Sequence, residues 1–148
     1  VACGRDRWAV REATVLSVAE GSPFVQSGIA ELAAVSLDCP DPSALAAFYA
    51  ALTGGKITHD APEASAVVLP GGARIIFLRV AGYLPPTWPE GDRPQQFHLD
   101  FDVDDLEEAE AIVCELGGAK PSFQPNPGRW RVMTDPAGHP FCLSPRRR

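Results

Sequence analysis

The chain has 148 residues, 45% hydrophobic and 22% charged, which is enough for one domain with a sizeable core and too little for two ample ones. Nineteen acidic side chains against thirteen basic give a formal net charge of −6, and the body without Arg146, Arg147 and Arg148 stands at −9. That balance excludes a broad nucleic-acid footprint, and no apolar run approaches the roughly 18 residues of a membrane span.

The opening Val1-Ala2-Cys3-Gly4-Arg5-Asp6-Arg7 lacks the apolar stretch and cleavage site of a secretory signal, so the sequence predicts a soluble, cytoplasmic protein. Cys3, Cys39, Cys114 and Cys142 show no CxxC spacing and read as reduced, mostly buried small hydrophobes. Proline is the anomaly of composition, with 15 of 148 residues, and Pro85, Pro86, Pro89 and Pro94 cluster at mid-chain.

In chain order, residues 1–30 form an N-terminal extension in which Arg7–Glu20 is a candidate helix. Ala33, Val35, Leu37 and Cys39 then alternate on one face of a strand. Asp41 followed by Pro42 signals a helix start. Leu45, Phe48, Tyr49 and Leu52 form an i, i+3, i+4, i+7 stripe, and Gly54-Gly55 stops the helix. Three short strands follow around residues 56–59, 66–69 and 74–80, the last two joined by a Gly71-Gly72 turn. The proline-rich stretch 81–94 reads as a linker.

The same order then recurs. Phe97, Leu99, Phe101 and Val103 alternate, and Asp105 with Glu108 three residues later fits a capping box. Leu106, Ala109, Ile112, Val113 and Leu116 form the apolar stripe, ended by Gly117-Gly118. Strands are predicted around 120–123, 130–134 and 140–143, the last pair turned by Asp135-Pro136-Ala137-Gly138. At an offset of 64 residues the two halves share six identities in 23 positions, including Asp41 with Asp105, Leu52 with Leu116 and Lys56 with Lys120, and their polarity matches between them. The predicted class is α+β: two tandem βαβββ modules, 31–80 and 95–145, with a basic tail at 146–148.

This repeated module, with His98-Leu99-Asp100-Phe101-Asp102-Val103-Asp104-Asp105-Leu106 and Asp135-Pro136-Ala137-Gly138-His139-Pro140-Phe141, resembles the vicinal oxygen chelate superfamily over about residues 31–145. That superfamily includes glyoxalase I, bleomycin-resistance proteins and extradiol dioxygenases. The nearest subgroup is the short glyoxalase-like proteins ending in a His-Pro-Phe-Cys-Leu strand. The resemblance implies an open, curled mixed sheet with helices outside, a cavity in its concave interior and, by family habit, a homodimer.

Alternation then assigns faces. The apolar set packs under the helices, while Ala34, Ser36 and Asp38 in the first module and Gln96, His98, Asp100 and Asp102 in the second face the cavity. Metal-dependent members of the superfamily place one ligand at each of four equivalent points, on the first and last strand of each module. Here those points offer Ala34, then Ile76 or Leu78, then His98 and Cys142. Two donors of four, one of them a thiol, predict no bound metal and no cofactor.

His98 reads either as a hydrogen-bonded remnant in a polar pocket or as a base paired with Asp100, two residues along on the same face. Cys142 and His139 are three apart on an alternating strand and should point to opposite faces. His139 and His59 read as surface residues. Trp88 sits on a stiff Pro-Pro-x-Trp-Pro loop, as a packed linker residue, a lid or a clasp on a second subunit. Trp130 is expected to turn its ring inward and leave Arg129 and Arg131 outside.

The favoured function is a glyoxalase-like protein that binds a small molecule, neutral or cationic, in a pocket of Ala34, Ser36, His98, Asp100, Trp130, Cys142 and Trp88. The alternative is a glyoxalase-like lyase or isomerase, with His98 and Asp100 in proton transfer or with relocated metal ligands. A third reading is a non-catalytic partner domain with a collapsed pocket. No nucleic-acid or membrane partner is expected.

Overall fold

Two short alternating strands, each followed by a capped helix, organise the fold, of which the computed structural model describes residues 31–146. The expected extension at 1–30, its candidate helix Arg7–Glu20, and Arg147 and Arg148 lie outside the described residues. In the first module, β1 (Val35–Cys39) leads into α1 (Pro42–Thr53), then β2 (Lys56–Ala61), β3 (Ala64–Val68) and β4 (Arg74–Arg79). In the second, β5 (Leu99–Val103) leads into α2 (Leu106–Glu115), then β6 (Arg131–Thr134) and β7 (Pro140–Pro145).

The start signals act as expected. Asp41 Oδ1 accepts from the Ala44 N–H at 3.1 Å and Asp105 Oδ1 from the Glu108 N–H at 2.8 Å, each filling an otherwise orphaned helix donor. Gly54, at φ 69°, ends α1 in the left-handed conformation.

The strands form two open mixed sheets, ordered β1-β4-β3-β2 and β5-β7-β6. In each, the first strand runs parallel to the last: Ser36 lies opposite Ile76, and Asp100 opposite Cys142. This equivalence settles the repeat partner of Cys142, which is Ile76 and not Leu78.

The second sheet lacks the strand expected around 120–123. Only an isolated bridge between Ala119 and Thr134 remains of it. Pro121, Pro125 and Pro127 remove ladder donors from that stretch. A side-chain amide takes over the pairing: Gln124 Nε2 donates to Val132 O at 2.8 Å, and Gln124 Oε1 accepts from Val132 N at 2.9 Å. Val132 is buried, so Gln124→Ala strands both of its main-chain groups. Urea unfolding should show a loss of about 1–3 kcal/mol.

One hydrophobic core serves both modules. Tyr49 of α1 stacks on Phe77 of β4 with ring centroids 5.4 Å apart, and lies 6.1 Å from Phe101 of β5 and 6.4 Å from Phe141 of β7. Leu45, Phe48, Val113, Met133 and Leu143 are buried in the same cluster. Phe97, expected on the apolar face of the second strand, is instead exposed, because β5 begins only at Leu99.

The helical surface adds an acid-sensitive contribution. Arg131 donates to Glu110 at 2.9 Å and to Glu107 at 2.7 Å, and Lys120 donates to Glu110 at 2.9 Å. The hydrogen bond from Lys120, followed by that from Arg131, holds the Glu110 carboxyl below its usual range. A carboxyl lowered on folding stabilises above its unfolded pKa, and that contribution is lost as pH falls through the folded value. Glu110→Gln should therefore flatten the acid limb of a stability–pH profile and leave its alkaline limb unchanged.

Candidate functional site

Strand alternation puts Ser36 and Asp38 on β1, and Asp100 and Asp102 on β5, opposite the core, and all four are exposed. Where these first strands meet the proline-rich linker, a cavity of about 330 Å³ opens, walled among others by Ser36, Asp38, Tyr83, Arg93, His98 and His139. Tyr49 reaches the same wall from the core side.

The best-ordered polar group in this cavity is His139. Its side chain is 15% exposed, so the surface position expected for it is incorrect. The tight turn after β6 explains the difference. Asp135 is buried, and its Oδ1 accepts from the backbone N–H groups of Ala137 and His139, both at 2.9 Å. Its Oδ2 is left to accept from the Tyr49 hydroxyl at 3.0 Å and from His139 Nδ1 at 2.8 Å. A carboxylate on Nδ1 fixes the tautomer of the neutral ring, so Nε2 accepts from the Tyr83 hydroxyl, 3.0 Å away.

Burial, followed by the charge of Asp135, holds both the Tyr49 and the Tyr83 phenols well above their ordinary pKa, so each stays a hydrogen-bond donor. Gly138 brings the linker onto the turn. At φ 90° it takes a conformation that side chains avoid, and a Cβ there would lie 2.6 Å from Pro85. The linker is thereby pressed against the turn that carries His139.

A second, water-sized cavity of about 20 Å³ adjoins the first and includes Trp88, Gln95 and Cys142 in its wall. His98 lines both cavities. Trp88 Nε1 and Gln95 Oε1 are buried without a hydrogen-bond partner among the described residues. Trp88 also packs on Phe123 at 6.3 Å between ring centroids, so it contributes to a wall as well as to the linker.

His98 Nε2 stands 3.6 Å from Asp100 Oδ2, beyond hydrogen-bond range, so Asp100 does not fix the His98 tautomer as Asp135 fixes that of His139. Cys142 faces the same two residues. One donor atom each from His98, Asp100 and Cys142 lie within 4.8 Å of one another. Burial and then the Asp100 carboxylate push the Cys142 thiol up to about 11.

Of the residues expected to line a pocket, Ser36 and His98 line the larger cavity, and Trp88, His98 and Cys142 the smaller one. Asp100, also expected there, belongs to neither wall, although it stands beside His98 and opposite Cys142. Ala34 and Trp130 are half-buried and belong to neither wall, since β1 begins only at Val35 and β6 only at Arg131. Arg131 is not directed outward as expected: α2 draws its side chain onto Glu107 and Glu110 and leaves it 11% exposed. His59 is exposed on β2. The sequence reads Asp135 only as a turn residue and Tyr49 only as part of the apolar stripe of α1, and gives neither a functional role. The signal for the first was present, because a four-residue turn Asp-Pro-Ala-Gly returns the following His onto the Asp.

The sequence profile of the glyoxalase-like domain matches residues 34–144. The chain belongs to the glyoxalase-like family. It is similar to "Putative glyoxylase CFP32" of Mycobacterium bovis, at 33% identity over 110 residues. That match covers 69% of this chain and 39% of the relative, so the chain spans about two fifths of the length of the curated relatives it matches.

Among solved structures, a glyoxalase/bleomycin resistance protein/dioxygenase family enzyme from Burkholderia phytofirmans superposes with a TM-score of 0.59 at 20% identity, covering 78% of this chain and 98% of that one. The fosfomycin resistance protein FosX from Listeria monocytogenes superposes with a TM-score of 0.60 at 16% identity, covering 81% and 94%. These likenesses establish the fold.

Metal-dependent members of this glyoxalase-like fold draw ligands from both modules, and the donor set here does not fit that arrangement. The strand register makes the first-module positions Ala34 and Ile76, which offer no donor atom to an ion. The donors that exist, His98, Asp100 and Cys142, all belong to the second module.

Proposed function

We propose that this glyoxalase-like protein binds a small neutral or cationic organic molecule in the 330 Å³ cavity between its modules, and that its two-module metal centre is degenerate. The observation that carries this reading is the ordered Asp135–His139–Tyr83 chain at the cavity wall. It presents polar groups whose orientation is set before any ligand arrives. The cavity volume lies at the lower end of the range of about 300–1,000 Å³ for small-molecule sites. Asp38 supplies a carboxylate for a cationic group, while the Arg93 guanidinium already donates through Nε to Pro85 O at 3.0 Å.

A second reading is a glyoxalase-like lyase or isomerase. The carboxylate-oriented His139 supports it better than His98, whose separation from Asp100 is too long for a hydrogen bond. The reading also includes a homodimer, with the exposed edges of the two sheets as the surfaces to be covered. A reducing cytoplasm suits the free thiols of Cys39, Cys114 and Cys142.

Thermal-shift screening of a broad panel of aromatic and cationic natural products is the test. Stabilisation of the wild type by at least one compound, lost in Ser36→Trp, is expected, because Ser36 is exposed at the cavity wall and the indole would fill it. No stabilising compound across the panel would contradict the reading.

A further inference from the structure

We propose that Tyr83 makes the cavity selective for a molecule whose polar end donates hydrogen bonds, an amine or an N–H heterocycle, over one whose polar end only accepts, such as an ether or a ketone. This ligand chemistry rests on the reading of the 330 Å³ cavity as a small-molecule site. A phenol can offer a ligand either its proton or its lone pairs. Here the groups behind Tyr83 make the choice. Asp135 meets four donors, the backbone N–H groups of Ala137 and His139, the Tyr49 hydroxyl and His139 Nδ1, so it acts only as an acceptor. Nδ1 therefore carries the ring proton, Nε2 keeps its lone pair, and Tyr83 commits its one hydroxyl proton to Nε2 at 3.0 Å. Lone pairs are what the Tyr83 oxygen has left for the cavity. Tyr49, which also reaches the wall, spends its proton on Asp135.

Other groups of the wall agree in polarity. Asp38, exposed on β1, adds carboxylate lone pairs. Gln96 Nε2 donates to Pro94 O and Arg93 Nε to Pro85 O, both at 3.0 Å, so these donors are turned onto carbonyls of the linker. Leu84 and Phe97 are exposed large apolar side chains on the same wall, and they suit an aromatic or aliphatic body attached to the donating end. Asp135 and His139 are then positioning residues, which set the ligand preference through Tyr83.

The experiment titrates indole and benzofuran into the full 148-residue chain at about pH 8, above the ordinary imidazole pKa of about 6.5. The two rings are nearly equal in shape and differ by an N–H donor against an ether oxygen. Neither is charged, so the long-range fields of Asp38 and Arg93 weigh equally on both. Dissociation constants are read from the amide shifts of Ser36, Leu84 and His139, all on the cavity wall. Indole should bind about 2- to 12-fold more tightly, the ratio that one hydrogen bond provides. Tyr83→Phe, at a half-buried position, should bring the ratio to about one. In Asp135→Asn the ring reverses, Nε2 donates to the Tyr83 oxygen, and the freed phenol proton should carry the ratio below one. The same substitution made in the Tyr83→Phe background should leave the ratio unchanged, whereas a through-space effect of the lost charge would persist there. Circular dichroism checks the fold of each variant, and Tyr83→Phe alone decides if Asp135→Asn does not fold. Equal binding of the two probes, a preference that survives Tyr83→Phe, or no shift at the cavity wall would overturn the proposal. Benzofuran bound there as tightly as indole would remove the polarity and keep the binding site. Silence of both probes and of the whole natural-product panel would remove the site itself.

Discussion

Asp135→Ala should lower the unfolding free energy by on the order of 4 kcal/mol, a large part of the roughly 5–15 kcal/mol that holds a domain of this size together. The carboxylate accepts four hydrogen bonds, from two backbone amides, the Tyr49 hydroxyl and the His139 ring, and its side chain is fully buried. Alanine fills none of these roles, and water has no free access to replace them. The turn before β7 and the contact between α1 of one module and that turn of the other fail together. Urea denaturation measures the loss.

Asp135→Asn separates structure from chemistry. The amide keeps the Oδ1 acceptor that shapes the turn and places an NH₂ where Oδ2 stood. His139 Nδ1 must then accept rather than donate, Nε2 becomes the protonated nitrogen, and the bond to Tyr83 reverses. Nitrogen-15 shifts of the ring should show Nδ1–H in the wild type and Nε2–H in the variant. An unchanged tautomer would show that Asp135 acts on the turn alone.

Phe141→Ala should cost about 3–5 kcal/mol, the range for emptying a buried aromatic position. Phe141 is 1% exposed, and its ring lies 6.1 Å from Phe48, 6.4 Å from Tyr49 and 5.9 Å from Phe101. The first two belong to the first module and the third to its own. The cavity left behind is therefore shared by both, and the two modules should still unfold in one transition. Loss measured by denaturation, with a single transition seen by near- and far-ultraviolet circular dichroism, is the expected pattern. Two separated transitions would contradict the single core.

Much of this architecture was legible in the residues because local chemistry and long-range packing agree. Asp41 and Asp105 precede their helices as side-chain caps, and the alternation in Val35–Cys39 and Leu99–Val103 separates a core face from a polar one. The repeat offset placed Ala34 over His98 and so exposed the missing donors of the first module. Two kinds of feature were not legible. The strand at 120–123 failed through prolines whose lost donors were replaced by the Gln124 side chain, a pairing that no periodicity announces. His139 was read as a surface residue because turns are usually exposed. Only the fold shows that the linker covers this turn, through the close approach of Pro85 to Gly138 and the Tyr83 hydroxyl on the ring. The same covering replaces His98 with His139 as the better-oriented imidazole.

The space between the two first strands and the linker is the proposed binding site. The most direct measurement is a set of amide and histidine-ring NMR spectra of the isotopically labelled chain, recorded with and without the compound that stabilises it most. Shift changes concentrated on Ser36, Asp38, Tyr83, His98 and His139, which share that cavity wall, are expected. Changes confined to the outer strands β2 and β6, with His98 and His139 unmoved, would contradict it.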